Sequence, residues 1–343
     1  MRLDLLPARQ RPDQGQHDRP TPLVVPRVVI PDVVLARDLP RGTLDAEVRD
    51  GRLVRVGRGA YVSCDGTSPT ETADGRRRLE LARIAAVVAQ TRAAGVVSHQ
   101  SAALVWGLPT WHLPTTVHLF HPVRRSSRSA GDITWHEAGS GGRPTLQLSG
   151  LCITNLEQTV VDCLRTAPPL DALVITDAAL ARGADRGEIE RLLTSVSGRR
   201  GASRGRELLD LADAGAQSPW ESVCRVVLQA VGLPAPETQV QVDTYLGRFY
   251  ADLGWRQWRF LVEFDGATKY SGDDRAATSA LMAEKRRQHA VEDEGWRVLR
   301  ATAADLGRSL LLVQRLRRLL PEPAFRSSRP RPHLLTDLHH APS

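Results

Sequence analysis

Three carboxylates near the C-terminal third stand at spacings that could do chemistry: Asp252, Glu263 and Asp265. Strands are predicted at 248–253 and 259–264, with a third before them at 238–244. If the hairpin turn centres between Gln257 and Trp258, Asp252 falls directly opposite Glu263, with Cβ atoms roughly 5 Å apart. Asp265 lies two residues after Glu263 and so projects from the same face of a regular strand. Carboxylates brought together at one sheet end repel unless a cation sits between them. Mg²⁺, or Mn²⁺ in its place, suits such a site, because it takes a few carboxylates and keeps several waters. The chemistry would be activation of a water against a phosphodiester. The two lysines of the chain, Lys269 and Lys285, fall in this same segment, every other basic residue among the 46 being arginine. An amine there would be a compact donor that a guanidinium cannot replace.

The elements that must hold these residues follow from the pattern around them. Ser218-Pro219-Trp220-Glu221 opens a helix, with Ser at the N-cap and Pro at the first helical position, running to about Val231. Glu221 therefore has two readings, an acid assisting the site or the capping-box partner of Ser218. Asp265-Gly266 likewise reads either as part of the site or as the turn after the strand. A helix from about Ala276 to Glu294, a strand at Trp296–Ala301 and a helix at Ala303–Leu320 complete the segment.

Ser218–Ser222, Glu263-Phe264-Asp265-Gly266, Lys269-Tyr270, Glu284–Arg287 and Gly295–Arg300 together resemble the PD-(D/E)XK nucleases, and within them the very-short-patch-repair-endonuclease-like branch. The resemblance covers residues 215–320 and implies a restriction-endonuclease-like α/β domain. It implies that Asp252 and Glu263 hold the metal and that Glu221 assists from the helix. The general motif carries lysine where this chain has Asp265: Lys269 or Lys285 could return an ammonium, and otherwise Asp265 makes a third acidic ligand or the site is inactive.

Ahead of this segment, Asp32 is predicted to cap a short helix through Arg37, and Thr43 a second one closed by Gly51. A hairpin follows, Leu53–Val56 and Ala60–Val62 about Gly57-Arg58-Gly59. Two helices and a hairpin give the order of a winged helix-turn-helix over 28–66, which places Thr43, Arg49, Arg55 and Arg58 at DNA. Residues 77–197 read as a mostly helical middle domain, with helices from Leu79 to Ala94 and from Ser98 to Trp106. Strands are predicted there at Thr116–Phe120 and Asp132–His136, and capped helices after Asn155 and Asp185. His99, His118, His121 and His136 show no ligand spacing with Cys or Asp, and no metal is expected at them. The winged helix with Ser98–Ala103 and Gly107-Leu108-Pro109 resembles AbiEi-type antitoxins over 28–200, which implies a repressor of a type IV toxin–antitoxin system. A glycine-rich basic linker at 198–206 offers Arg199, Arg200 and Arg204 to a phosphate backbone.

The composition frames these readings. At 343 residues with net charge +7, the chain suits several domains and a polyanionic partner. The four cysteines form no CxxC pair, no run spans a bilayer, and no apolar leader opens the chain, so a cytoplasmic protein away from membranes is expected. Residues 1–27 and 321–343 are expected to be disordered tails. The expectation is thus a multidomain α+β protein that binds double-stranded DNA, with a homodimer mate or a toxin-system protein as its protein partner. It is either a metal-dependent endonuclease or a non-catalytic regulator on an inactive nuclease fold.

Overall fold

The computed structural model describes residues 28–40, 42–64, 70–91, 95–121, 131–137, 143–265, 274–326 and 328–338. The expected N-terminal tail, 1–27, lies outside these. Among the described residues, no helix is long and apolar enough to cross a membrane.

The N-terminal unit comprises β1 (Val33–Leu35), a 3₁₀ turn, α1 (Thr43–Arg49), β2 (Leu53–Gly57) and β3 (Ala60–Ser63). The hairpin stands where the sequence places it, and Gly59 supplies the positive φ of its turn. The first expected helix is instead a strand. Val33, Val34 and Leu35 form a β-branched and apolar run that pairs with Val62, Tyr61 and Ala60. Thr43 is the first helical residue and not the cap, that place being taken by Gly42 at φ 88°. Among the described residues one α-helix therefore precedes the hairpin. α2 (Ala73–Gln90), capped by the Thr72 side chain, packs Ala86 onto Leu35 and Ala60 of this sheet.

The middle unit is less helical than expected. It contains β4 (Val96–Val97), α3 (His99–Val105), β5 (Val117–His121), β6 (Ile133–Glu137), β7 (Thr145–Leu148) and β8 (Leu151–Thr154). These strands make one five-stranded sheet ordered β6-β5-β4-β8-β7. Two of them turn on Ser149 and Gly150, both at positive φ, the backbone of a tight two-residue hairpin. α4 (Leu156–Thr166), α5 (Pro169–Ala181), α6 (Arg186–Ser195) and α7 (Ala202–Leu211) follow. Asn155 and Asp185 cap α4 and α6 through their side chains. The expected linker at 198–206 is a turn and the start of α7, tied to α4. Gly201 sits at φ 81°, where a Cβ would run into the Arg165 carbonyl, and the Arg165 guanidinium donates to the Arg200 carbonyl.

The C-terminal unit runs α8 (Pro219–Ala230), β9 (Glu237–Thr244), β10 (Gly247–Trp255), β11 (Phe260–Phe264), α9 (Asp274–Asp293), β12 (Arg297–Ala301), α10 (Ala303–Gly307) and α11 (Ser309–Leu319). Its sheet is ordered β12-β11-β10-β9, antiparallel except for β11 with β12. That parallel pair needs a crossover, which α9 provides. The expected tail at 321–343 is instead packed as far as residue 338. Ala324, Leu334 and Leu338 are buried, and the Arg331 amide donates to the Ala230 carbonyl at 2.8 Å. Three apolar anchors are enough to hold a proline-stiffened segment down. One apolar core runs from the middle unit into this one. At its centre Arg225 of α8 pairs with Asp177 of α5 at 2.7 Å, both nearly inaccessible to solvent.

Candidate functional site

The β10–β11 register pairs Leu253 with Val262 and Trp255 with Phe260. One step further along, it sets Asp252 across from Glu263, as the sequence predicts. The backbone ladder ends there because the Asp252 carboxylate accepts the Phe264 amide at 2.8 Å. On the other side of β10, Gln239 adopts φ 51°, so the sheet is irregular on both flanks of Asp252. Phe264 stacks on Trp220 at 4.9 Å between centroids, which fixes the start of α8 beside the hairpin.

Glu221, one residue on, is buried and serves as a cap. It accepts from the Ser218 hydroxyl and the Gln217 amide, each at 2.9 Å, while the Ser218 oxygen accepts its amide. Its charge also reaches Asp252. Burial, and then repulsion from Glu221, push the Asp252 carboxyl up to about 6 against the pull of the Phe264 amide and Arg287. The buried Cys224 thiol registers the same negative field: burial, then Asp252, Glu221 and Asp305, push it up to about 12.

Glu263 is held differently. Its carboxylate accepts Arg287 of α9 at 2.7 Å and lies 3.8 Å from Arg300 of β12. Both arginines also reach Glu284, so two acids and two guanidiniums close a ring of alternating charge. Burial raises the Glu263 carboxyl despite the arginines, whereas for the more exposed Glu284 the arginines prevail over burial and lower it.

Asp265 is exposed, its amide spent on the Ala301 carbonyl. Lys285 is exposed on α9, and Lys269 lies outside the described residues. Among the described residues no three carboxylates bring their oxygens within 4.8 Å of one another. Asp252 and Glu263 nevertheless offer half-buried hard oxygen donors, the donor type that Mg²⁺ or Mn²⁺ takes. Of the predicted DNA contacts, Arg49, Arg55, Arg58, Arg199 and Arg200 are exposed and Thr43 is half-buried. Arg204 is turned inward, its guanidinium donating to the Ala167 carbonyl.

A second cluster lies where no metal is expected. His99 opens α3, His118 lies on β5 and His136 on β6, and one nitrogen of each falls within 4.8 Å of the others. His118 Nδ1 and His136 Nε2 are 2.9 Å apart, and the His99 ring stacks on His136 with centroids 3.4 Å apart. His99 Nδ1 meets the Ser98 hydroxyl at 2.9 Å and lies 3.8 Å from buried Asp162, itself paired with Arg143. Burial depresses all three imidazoles, His118 to about 4 and His136 to about 3, so they are neutral near pH 7. His99 also holds φ 54°, a left-handed backbone that costs a residue with a side chain about 1–3 kcal/mol. His121, at the end of the same strand, stands outside the trio, edge-on to Trp135. The sequence gives no spacing signal for this trio, because it is assembled by pairing between strands.

No family model matches the chain. Over 270 residues, 78% of its length, it is 28% identical to the uncharacterized protein Rv2248 of Mycobacterium tuberculosis H37Rv, covering 92% of that protein. The counterpart from the CDC 1551 strain aligns with the same identity and coverage. A crystal structure of the RV2827C protein from Mycobacterium tuberculosis superposes at a TM-score of 0.33 and 17% identity, over 60% of this chain and 83% of that one. A likeness so low carries no argument about fold or function.

Proposed function

We propose that this protein binds double-stranded DNA and that its C-terminal unit is a metal-dependent endonuclease cutting phosphodiester bonds. The observation that carries the reading is the placement of Asp252 opposite Glu263 where the β10–β11 ladder ends, with both carboxyls half-buried and raised. The α-β-β-β-α-β order of α8 to β12 supports it, being the order the PD-(D/E)XK resemblance leads one to expect.

In this reading Asp252 and Glu263 hold Mg²⁺ or Mn²⁺, which supplies Lewis acidity and an acidified water. Asp252, whose carboxyl is raised to about 6 in the metal-free protein, would give up its proton on taking up the cation. Burial raises that carboxyl, Glu221 adds to the rise, and Glu221 also holds the helix end in place. The motif's lysine is missing at Asp265, and among the described residues the cationic groups beside Glu263 are Arg287 and Arg300. Their guanidiniums can donate to phosphate oxygens in pairs, as an ammonium cannot. The exposed arginines of the wing and of the α6–α7 turn supply salt-dependent phosphate contacts.

One observation favours a second reading. Glu263 is already neutralised by Arg287 and Arg300, and Asp265 faces solvent. That arrangement suits a transcriptional regulator or antitoxin whose nuclease fold has lost its chemistry, acting as a homodimer or with a toxin-system partner. Plasmid nicking in Mg²⁺ or Mn²⁺ separates the two, with Asp252→Asn and Glu263→Gln beside the wild type. Cleavage lost in both variants, by about a hundredfold or more, is expected of a metal ligand set, since even outer-shell changes cost about 10–100-fold. Absence of cleavage in the wild type, with salt-sensitive DNA binding intact in all three proteins, would overturn the nuclease reading in favour of the regulator.

A further inference from the structure

We propose that His99, His118 and His136 form a binding site for a borderline transition-metal cation of the Zn²⁺ class, separate from the carboxylates of the C-terminal sheet. Three imidazoles are the donor set that such cations take in open sites, with water or an exogenous group in the fourth position. The chain places one nitrogen from each ring within 4.8 Å of the other two. His99 is buried, and His118 and His136 are partly exposed.

The surroundings of His99 are those of a ligand. Its Nδ1 faces the Ser98 hydroxyl at 2.9 Å and the Asp162 carboxylate at 3.8 Å. A metal-bound histidine commonly commits its other nitrogen in this way, to a carboxylate or another fixed acceptor, which sets the tautomer and leaves Nε2 with its lone pair. The left-handed backbone at His99 is a second, independent sign, since strain of this kind is retained where a side chain must be aimed. Arg143 and Arg165 are the neighbouring positive charges. Arg143 is held by Asp162, so the carboxylate offsets it.

Loading requires a small, specific movement. The His118 Nδ1 and His136 Nε2 atoms are 2.9 Å apart, a hydrogen bond in the metal-free protein. Two nitrogens on one tetrahedral Zn²⁺ at about 2.0–2.1 Å would stand near 3.4 Å, so this pair must open slightly. Parallel rings cannot both contain one metal atom in their planes, so the His136 ring must also turn out of its stack on His99. His136 lies on β6, the edge strand of its sheet, where such a turn disturbs one neighbouring strand only.

The test uses the full chain stripped with chelator and titrated with Co²⁺ and Zn²⁺. With excess Mg²⁺ present to occupy the carboxylates, the expected result is one Co²⁺ per chain with visible ligand-field absorption, displaced by one Zn²⁺. His118→Gln and His136→Gln should each weaken binding at least tenfold. His121→Gln, a change on the same strand outside the trio, should leave it intact, as should Asp252→Asn combined with Glu263→Gln. X-ray absorption on the zinc-loaded wild type should show three imidazoles and needs no variant to fold. Absence of stoichiometric binding, binding unaffected by both histidine substitutions, or a zinc shell without imidazole would each overturn the proposal. Loss of binding in the carboxylate double variant alone would move the site to the C-terminal sheet.

Discussion

The acids of the C-terminal sheet and the histidines of the middle unit are both clusters of ligand-capable groups, but they are assembled in opposite ways. Asp252 and Glu263 come from one hairpin, so a local turn is enough to set them face to face. His99, His118 and His136 come from a helix start and two strands. His118 meets His136 only because β5 and β6 pair in parallel, with His118 beside Thr134 and His136 two residues on. The Ser98 amide bonds the His118 carbonyl, which brings the start of α3 to the same place. The electrostatics differ as well. The acids are charged groups made costly by burial, whereas the imidazoles avoid that cost by staying neutral. Proximity in sequence made the first cluster readable, and long-range pairing concealed the second.

The largest expected effect tests whether the two clusters belong to one cooperative unit. Asp177 and Arg225 join α5 to α8 inside the shared core, with Asp177 also accepting the Asp213 amide at 2.8 Å. Asp177→Ala leaves the Arg225 guanidinium buried without its partner, and should cost about 3–5 kcal/mol in urea unfolding. Asp177→Leu with Arg225→Met should recover most of that loss, because no charge remains buried. Tryptophans in both units, Trp106 and Trp111 against Trp255 and Trp258, should report a single transition in every variant. Separate transitions would mean that the two regions fold independently despite the common core.

What the sequence made legible follows the same division. From α8 to β12 the strands are long and bounded by caps and glycines, and the Asp252–Glu263 register could be counted outward from the turn. In the middle unit β4 has two residues, too short to show a period of two, and β7 and β8 have four each, the shortest run that can show one. The strand at Val33–Leu35 was concealed by Asp32, a good helix cap by residue type that here leads into a strand. The basic stretch at 198–206 and the proline-rich end read as unfolded by composition. A few anchors, Gly201 against α4 and Leu334 and Leu338 in the core, were enough to order them, and composition does not register anchors.

A smaller effect distinguishes the two facing acids. Asp252 has a folded carboxyl near 6, above its ordinary unfolded value near 3.9. The folded state therefore holds that proton more tightly, so the stability from this group is present below about pH 4 and is lost as pH rises through 6. Asp252→Asn keeps an oxygen for the Phe264 amide and removes the charge. In chelator, melting curves should show the variant little changed at pH 4 and more stable by about 1–3 kcal/mol at pH 8. A difference that does not vary between those two pH values would mean that Asp252 is already compensated, and the contrast with Glu263 would disappear.

The smallest effect concerns that compensation. Glu263 has Arg287 as its near partner, with Arg300 at 3.8 Å, and the Arg300 side chain is 36% exposed. The Arg300 Nε is buried and has no partner among the described residues, so replacing this side chain also removes a donor that is not satisfied. Glu284 would keep Arg287, and the ring would open without leaving either acid alone. Arg300→Met should therefore cost under about 1 kcal/mol, and less in high salt, as half-exposed ion pairs do. The same substitution should lower DNA binding more than stability, if the guanidinium meets phosphate as proposed. A loss of several kcal/mol, insensitive to salt, would show that Glu263 depends on Arg300 as a buried charge does. In that case Glu263, and not Asp252, would be the acid in greater need of a cation.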